Sequence, residues 1–213
     1  MLRKESVNPS TFDLLQHLMA HPLLKNFALG GGTSLALRIG HRQSIDLDLF
    51  SLNDFDAELL LKNLEKEFQL KQADWDSNTV HAYFNKGNNF IKVDLLKHSY
   101  QLIKPVENIG NIRLLSIPDI IAMKLNAVSG RGSKKDFVDM YFLLKKFHLG
   151  EMINFYVEKY ENRNIFSLLK SLQYFQDADE EPDPVMIIPV SWNEIKRQLI
   201  REVNKYIRQY GVK

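Results

Sequence analysis

The residues with the plainest chemical potential are Asp46 and Asp48, in the run Ile45-Asp46-Leu47-Asp48-Leu49-Phe50. Alternation along a strand sends Ile45, Leu47 and Leu49 to one face and both carboxylates to the other. Two residues apart, the acids lie about 7 Å from each other at Cα. With roughly 5 Å between the charges and an effective dielectric of ~20, their repulsion costs about 3 kcal/mol. A sheet built only for stability has little reason to accept that. A divalent cation, Mg2+ or Mn2+, converts the same repulsion into binding energy.

A third acid completes the pattern. In the expected strand over residues 89–96, Phe90, Lys92, Asp94 and Leu96 share one face, and Ile91, Val93 and Leu95 share the other. Asp94 is then a lone acid on a strand able to lie beside Asp46 and Asp48. Three carboxylates can hold one or two metal ions, which clamp a triphosphate and lower the pKa of an attacking hydroxyl.

Upstream, Gly30-Gly31-Gly32-Thr33-Ser34 separates the apolar run Phe27-Ala28-Leu29 from a short helical piece over residues 35–39. Glycines there let backbone N–H groups approach an anion, and the following helix start favours phosphate. The plainer alternative is a tight strand-to-helix connection. The acid pair favours the first reading, because phosphate and divalent metal belong together. Arg42 can neutralise triphosphate oxygens or pair with Asp46 or Asp48. His41 is expected to pack or hydrogen-bond.

Two further residues stand out by position. On the helix opened by Ser116-Ile117-Pro118, the apolar arc of Ile117, Ile120, Ile121, Leu125 and Val128 includes Lys124. Lysine is rarely buried unless paired, so this position needs a buried partner or an anionic ligand. Asp136 occupies a similar place among Phe137, Met140, Leu143 and Leu144. Either a Lys124–Asp136 pair ties two helices together, or Lys124 reaches nucleotide phosphates while Asp136 orients it. Lys134 and Lys135 read as surface charge.

These residues need a scaffold. The 213 residues, 45% hydrophobic and 25% charged, suffice for a folded globular protein. There is no cysteine, which excludes disulfides, zinc–thiolate sites and a thiol nucleophile, and fits a reducing cytoplasm. The start lacks the apolar core of a signal peptide, and no apolar run is long enough to span a membrane. A net charge of +2 leaves the question of nucleic acid to local patches.

Helices are expected over residues 11–20, 54–68, 116–128, 134–147, 151–160 and 165–175, with a last one capped by Ser191. Strands are expected over 27–29, 45–50, 70–75, 79–85 and 89–96, with a hairpin turn at Lys86-Gly87-Asn88. The acidic run over 177–184 reads as a solvated connector. On the last helix Arg197, Arg201, Lys205 and Arg208 share one face, either as ordinary solvated charge or as a track for an RNA backbone. The front half is thus mixed α/β and the back half helical, an α+β chain.

A Gly-Gly pair, 13 residues and then Asp-Leu-Asp-Leu resembles the signature of the DNA polymerase β-like nucleotidyltransferases. The fuller form LGGGTSLAL…HRQSIDLDLF, with VDLL, IAMKLNAVSGRGSKKDFVDMYFLL and DADEEPDPVM…PVSWNEIK, resembles the AbiEii-like toxins of type IV toxin–antitoxin systems. The resemblance implies a nucleotidyltransferase core over residues 1–115 and a helical region over 116–213 that completes the nucleotide cleft. It implies Asp46 and Asp48 as metal ligands, and Asp94 as third ligand and base. Gly31, Gly32, Thr33 and Ser34 would bind phosphate, with Lys124, Lys135 and Asp136 in later motifs tied to nucleotide binding and activity. A nucleoside triphosphate, an RNA acceptor such as a tRNA 3′ end, and an antitoxin acting without direct contact are the implied partners. Two other readings stay open: a nucleotide- or partner-binding module without catalysis, and transfer to a protein side chain or small molecule.

Overall fold

The computed structural model describes residues 1–87, 89–161 and 164–211, which separate into two compact units. The first comprises residues 1–101 and 105–115, and the second residues 102–104 and 116–213.

In the first unit, Asn8 opens helix α1 (Pro9–Ala20) by accepting the Ser10 N–H at 3.0 Å, with proline in the first turn. Strand β1 (Phe27–Leu29) leads into α2 (Gly31–Ile39), which ends on Gly40 in left-handed backbone, φ 71°. Then come β2 (Leu47–Ser51), α3 (Ala57–Glu67), β3 (Leu70–Asp76), β4 (Thr79–Lys86) and β5 (Asn89–Lys97). A short hairpin, β6 (Glu107–Ile109) and β7 (Ile112–Leu114), closes the unit. Among the described residues these strands form one mixed sheet in the order β3-β4-β5-β2-β1-β7-β6. β2 runs parallel to β5 on one side and antiparallel to β1 on the other.

Alternation decides what this sheet buries. Leu47 and Leu49 of β2 and Val93 and Leu95 of β5 are at most 1% exposed, packed into a core to which α1 and α3 contribute Leu14, Leu15, Leu18, Leu60 and Leu64. Burying each such leucine contributes about 1.5–3 kcal/mol, so a one-residue slip of register would forfeit several at once.

Three expectations need correction here. Ile45 does not share the buried face; it is 67% exposed, and the strand begins only at Leu47. The preceding segment is held elsewhere: Ser44 bridges to Val7 and donates its N–H to Ser6 O at 2.9 Å. The glycine turn opens a helix as expected, but the helix starts earlier than residue 35, so Gly31 and Gly32 form the first turn of α2 with Gly30 as its cap. The β6–β7 hairpin was not expected, although Gly110 and Asn111, with φ of 56° and 65°, carry the two left-handed positions of a tight turn. Of the turn expected at Lys86-Gly87-Asn88, Asn88 lies outside the described residues.

The second unit is helical: α4 (Ile117–Gly130), α5 (Lys134–Leu144), α6 (Leu149–Lys159), α7 (Ile165–Ser171), α8 (Gln176–Asp179) and α9 (Trp192–Tyr210). Helices expected to reach residues 147 and 175 end earlier, at Leu144 and Ser171. The acidic segment is largely exposed, as expected of a connector, but it also supplies partners to the helices. Asp179 accepts from Trp192 Nε1 and from Lys196 at 2.8 Å. Glu181 accepts the Lys134 N–H at 2.8 Å, and Asp183 lies 3.1 Å from Lys134 Nζ. Lys134 is accordingly buried, 5% exposed, rather than surface charge. An acidic run facing a buried lysine is a partner, which composition alone does not reveal. Among the described residues no helix is long and apolar enough to cross a membrane.

Two buried carboxylates pin this unit. Asp119 meets Lys159 at 2.6 Å and the backbone N–H of Ile103 at 3.0 Å. Asp136 meets Lys124 and Arg131 Nε, each at 3.0 Å, and Ser133 Oγ at 2.7 Å. Burial pushes both carboxyls up, but these cations and donors outweigh it and hold both below the ordinary 3.8. A carboxyl lowered in the folded state contributes stability that is complete above its unfolded pKa and lost as pH falls through its folded one. Helical content followed by circular dichroism should therefore hold down to about pH 4 and fall below it, and Asp136→Asn should flatten that acid limb.

Candidate active site

Parallel pairing of β2 with β5 sets Asp48 directly beside Asp94, on the sheet face opposite Leu47, Leu49, Val93 and Leu95. Adjacent strands stand roughly 5 Å apart, so the two carboxylates are near neighbours. Asp46 precedes β2 and is part-buried, as is Asp48. Thr33 holds this end of the strand: its hydroxyl donates to the Asp46 carbonyl and lies 2.7 Å from Ser44 Oγ.

The glycine turn meets Asp48 at close range. Gly31 has φ 61°, and a Cβ there would lie 2.0 Å from Asp48 Oδ2. Only glycine combines that backbone conformation with that approach. The carboxylate and the first turn of α2 therefore share one small volume. Gly30 donates its N–H to the Asp48 carbonyl at 2.9 Å, which locks turn to strand.

Asp94 is 8% exposed, and both its oxygens are engaged. His81 Nδ1 lies 2.8 Å from Oδ1, and Lys92 Nζ donates to Oδ2 at 2.6 Å. An ionised carboxylate only accepts, so His81 carries its proton on Nδ1. The Lys92 ammonium is held above the ordinary lysine value, first by its hydrogen bond to Asp94 and then, against partial burial, by the charges of Asp94, Asp46 and Asp48. One amine thus feels all three acids.

The donor set suits a hard divalent cation, since every candidate ligand is a carboxylate oxygen and a positive group already stands among them. The set is not closed: among the described residues no three histidine, cysteine, aspartate or glutamate side chains are gathered to hold a metal ion.

Other sequence candidates are placed differently. Gly31 and Gly32 are part-exposed at the start of α2. Thr33 is 1% exposed with its hydroxyl committed to Ser44 and Asp46, which makes it a strand anchor rather than an open phosphate donor. Ser34 is fully buried, so its side chain likewise offers nothing to an incoming phosphate. Arg42 is 4% exposed and donates from Nη1 to the Gln43 carbonyl at 3.0 Å. In the helical unit Lys124 is buried between Asp136 and Asp139, at 3.0 and 2.6 Å, and Lys135 is exposed. The pairing alternative for Lys124 is thus the one present, with a second acid added.

Sequence reasoning assigned no role to His81, Lys92 or Asp139. Lys92 shares Asp94's strand face, a signal present in the sequence, whereas His81 meets Asp94 through the observed register, one residue from that implied by the expected turn. Asp139 lies one helical turn beyond Asp136.

Comparison with known proteins agrees with this architecture. JHP933 from Helicobacter pylori superimposes with a TM-score of 0.60 at 18% identity, over 96% of this chain and 94% of that one. MenT4, a nucleotidyltransferase toxin from Mycobacterium tuberculosis, gives 0.56 at 16%, over 92% and 84%. The fold is that of these proteins: a mixed seven-stranded sheet with flanking helices. A protein of Aquifex aeolicus (strain VF5) described as uncharacterized is 32% identical over 203 residues, 92% of this chain and 95% of its own. Residues 13–81 and 88–210 match the family "Nucleotidyl transferase AbiEii toxin, Type IV TA system". The chain belongs to that family and is a nucleotidyltransferase.

The Gly31–Asp48 approach makes a sharp demand. Gly31→Ala should destabilise the first unit by about 1–3 kcal/mol in urea unfolding, because alanine is strained at this φ and its methyl displaces the Asp48 carboxylate. Ser44→Ala, which removes a hydroxyl farther from the acids, should cost less.

Proposed function

We propose that this chain moves a nucleoside monophosphate from a nucleoside triphosphate onto an acceptor hydroxyl of RNA, with a tRNA 3′ end as the leading acceptor, and that it does so as the toxin of a type IV pair. The observation that carries the reading is the pairing of Asp48 with Asp94 beside a helix start stripped of side chains at Gly31. Carboxylates alone repel a triphosphate. Carboxylates next to open backbone N–H groups suit a substrate that arrives with its own cations.

In this reading Asp46 and Asp48 hold Mg2+ or Mn2+, with Asp94 as the third ligand. When bound, the ion neutralises phosphate charge and acidifies the attacking hydroxyl. The residues do the rest. The N–H groups at Gly31 and Gly32 receive phosphate oxygens. A carboxylate oxygen of Asp94 takes the proton from the acceptor hydroxyl, whose oxygen forms the new bond to the α-phosphorus. The bond from that phosphorus to the bridging oxygen breaks, and pyrophosphate leaves with the electron pair. His81 keeps Asp94 oriented through its Nδ1–H.

Support for a polyanionic acceptor comes from α9. Arg197, Arg201, Lys205 and Arg208 are exposed at helical spacing, while Ile195, Leu199 and Val203 are buried. Arg201, Lys205 and Arg208, with Asn204 and Gln209, line a recess of about 480 Å³. Such a row matches phosphate spacing along a nucleic-acid strand better than it matches a compact small molecule.

The test is incubation with each α-labelled nucleoside triphosphate and total RNA, with and without Mg2+. Label should enter RNA only with the metal, and Asp48→Ala should abolish transfer while its circular dichroism stays that of the folded protein. Transfer should also fall steeply between about 50 and 200 mM salt if basic side chains track the backbone. Full transfer by Asp48→Ala overturns the mechanism, and label in protein or small molecules instead of RNA overturns the acceptor.

A further inference from the structure

We propose that Lys92 is a built-in counter-ion, an ammonium that stands in for the divalent cation at the three acids and must be displaced before the metal ligands can close around an ion. The inference rests on the metal-dependent reading above and adds a residue that reading does not use.

The geometry is specific. Lys92 and Asp94 are two residues apart on β5 and project from the same face, and the amine reaches back to Asp94 Oδ2 at 2.6 Å. Asp48 is the direct neighbour of Asp94 on β2. A positive charge therefore sits on Asp94, the direct strand neighbour of Asp48. The Asp94 oxygen that a cation would need is the one this ammonium occupies.

The lysine is also removable. Its side chain is 38% exposed, against 11% for Asp94, and a flexible four-carbon stem lets the ammonium swing to water without disturbing the core side of β5. His81 remains to hold the other Asp94 oxygen at 2.8 Å, so the carboxylate keeps its orientation when the lysine leaves. Contrast Lys124 and Lys159, whose side chains are 7% and 0% exposed against buried acids and have no such route to solvent. A doubly charged ion outcompetes a singly charged one at a cluster of carboxylates, but it must work against the lysine's hydrogen bond, and that raises the concentration needed to load the site. A site of this kind stays folded without metal and resists casual loading.

The experiment measures Mn2+ binding by electron paramagnetic resonance and melting temperature, on the wild type, Lys92→Met, Lys92→Arg and Asp48→Asn. Neutral Lys92→Met should bind Mn2+ tighter by roughly tenfold or more, because it removes a competing cation. Without metal it should melt below the wild type, and saturating Mn2+ should close that gap. Lys92→Arg, which keeps the charge, should bind no tighter than the wild type. Unchanged or weaker Mn2+ binding by Lys92→Met, with wild-type binding that still depends on Asp48, overturns the counter-ion role and leaves the proposed function standing. Mn2+ binding that is absent from every variant, or insensitive to Asp48→Asn, overturns both. Should Lys92→Met not fold without metal, Lys92→Gln gives the same comparison, and rescue of folding by Mn2+ is itself the expected result.

Discussion

Like charges on one sheet face are the constraint around which this protein is built. Asp48 and Asp94 are neighbours because β2 runs parallel to β5, and that pairing is held by the leucines and valine on the opposite face. At strand spacing their mutual repulsion is of order 3 kcal/mol, comparable to the gain from burying one of those leucines. The core can bear it only with a positive charge near the acids. Lys92 supplies one such charge at Asp94, and the approach of the α2 start to Asp48 adds the partial positive charge of a helix N-terminus.

The two units treat buried charge in opposite ways. In the helical unit, Lys124 with Asp136 and Asp139, Lys159 with Asp119, and Lys134 with Glu181 and Asp183 form closed sets whose lysines are shut away from water. Networks of this kind add little net stability over apolar packing, yet losing one member leaves a charge stranded, so they fix which helices meet. In the sheet unit Asp94 is buried, but Asp46, Asp48 and Lys92 around it are part-exposed. Closed networks suit a scaffold, and an open one suits a site that must exchange cations. Membership of the AbiEii nucleotidyl transferase family fits that contrast: the acids that repel one another most lie on the part-open sheet face.

Several functional-looking residues turn out to serve position. Thr33 has the right type and place for a phosphate donor, but its hydroxyl fastens the Asp46 backbone to α2. Ser34 faces the interior. What remains open at the turn is backbone, which explains why glycine and not serine or threonine occupies the point nearest Asp48. The acidic run over residues 177–184 shows the reverse case, a segment with the composition of a loop that is a set of partners for Lys134, Trp192 and Lys196.

Much of this was legible in the residues alone. Alternation in Leu47-Asp48-Leu49 and in Val93-Asp94-Leu95 separates core from acid face without any coordinates, because a strand has a period of two. Lys124 announced a buried partner, because an apolar helix face cannot hold a bare ammonium. Hairpin counting from the expected turn over residues 86–88 would have set Val80 opposite Asp94; the actual pairing of Lys86 with Asn89 brings His81 there instead. Local rules go no further, since each describes one element and is silent on its neighbours. Which strand lies beside β2, where Ile45 leaves the ladder, and that a second acid at Asp139 shares Lys124 are all long-range outcomes. They follow from the sheet order and from which helices pack together, and those are settled by the whole chain burying its apolar surface at once.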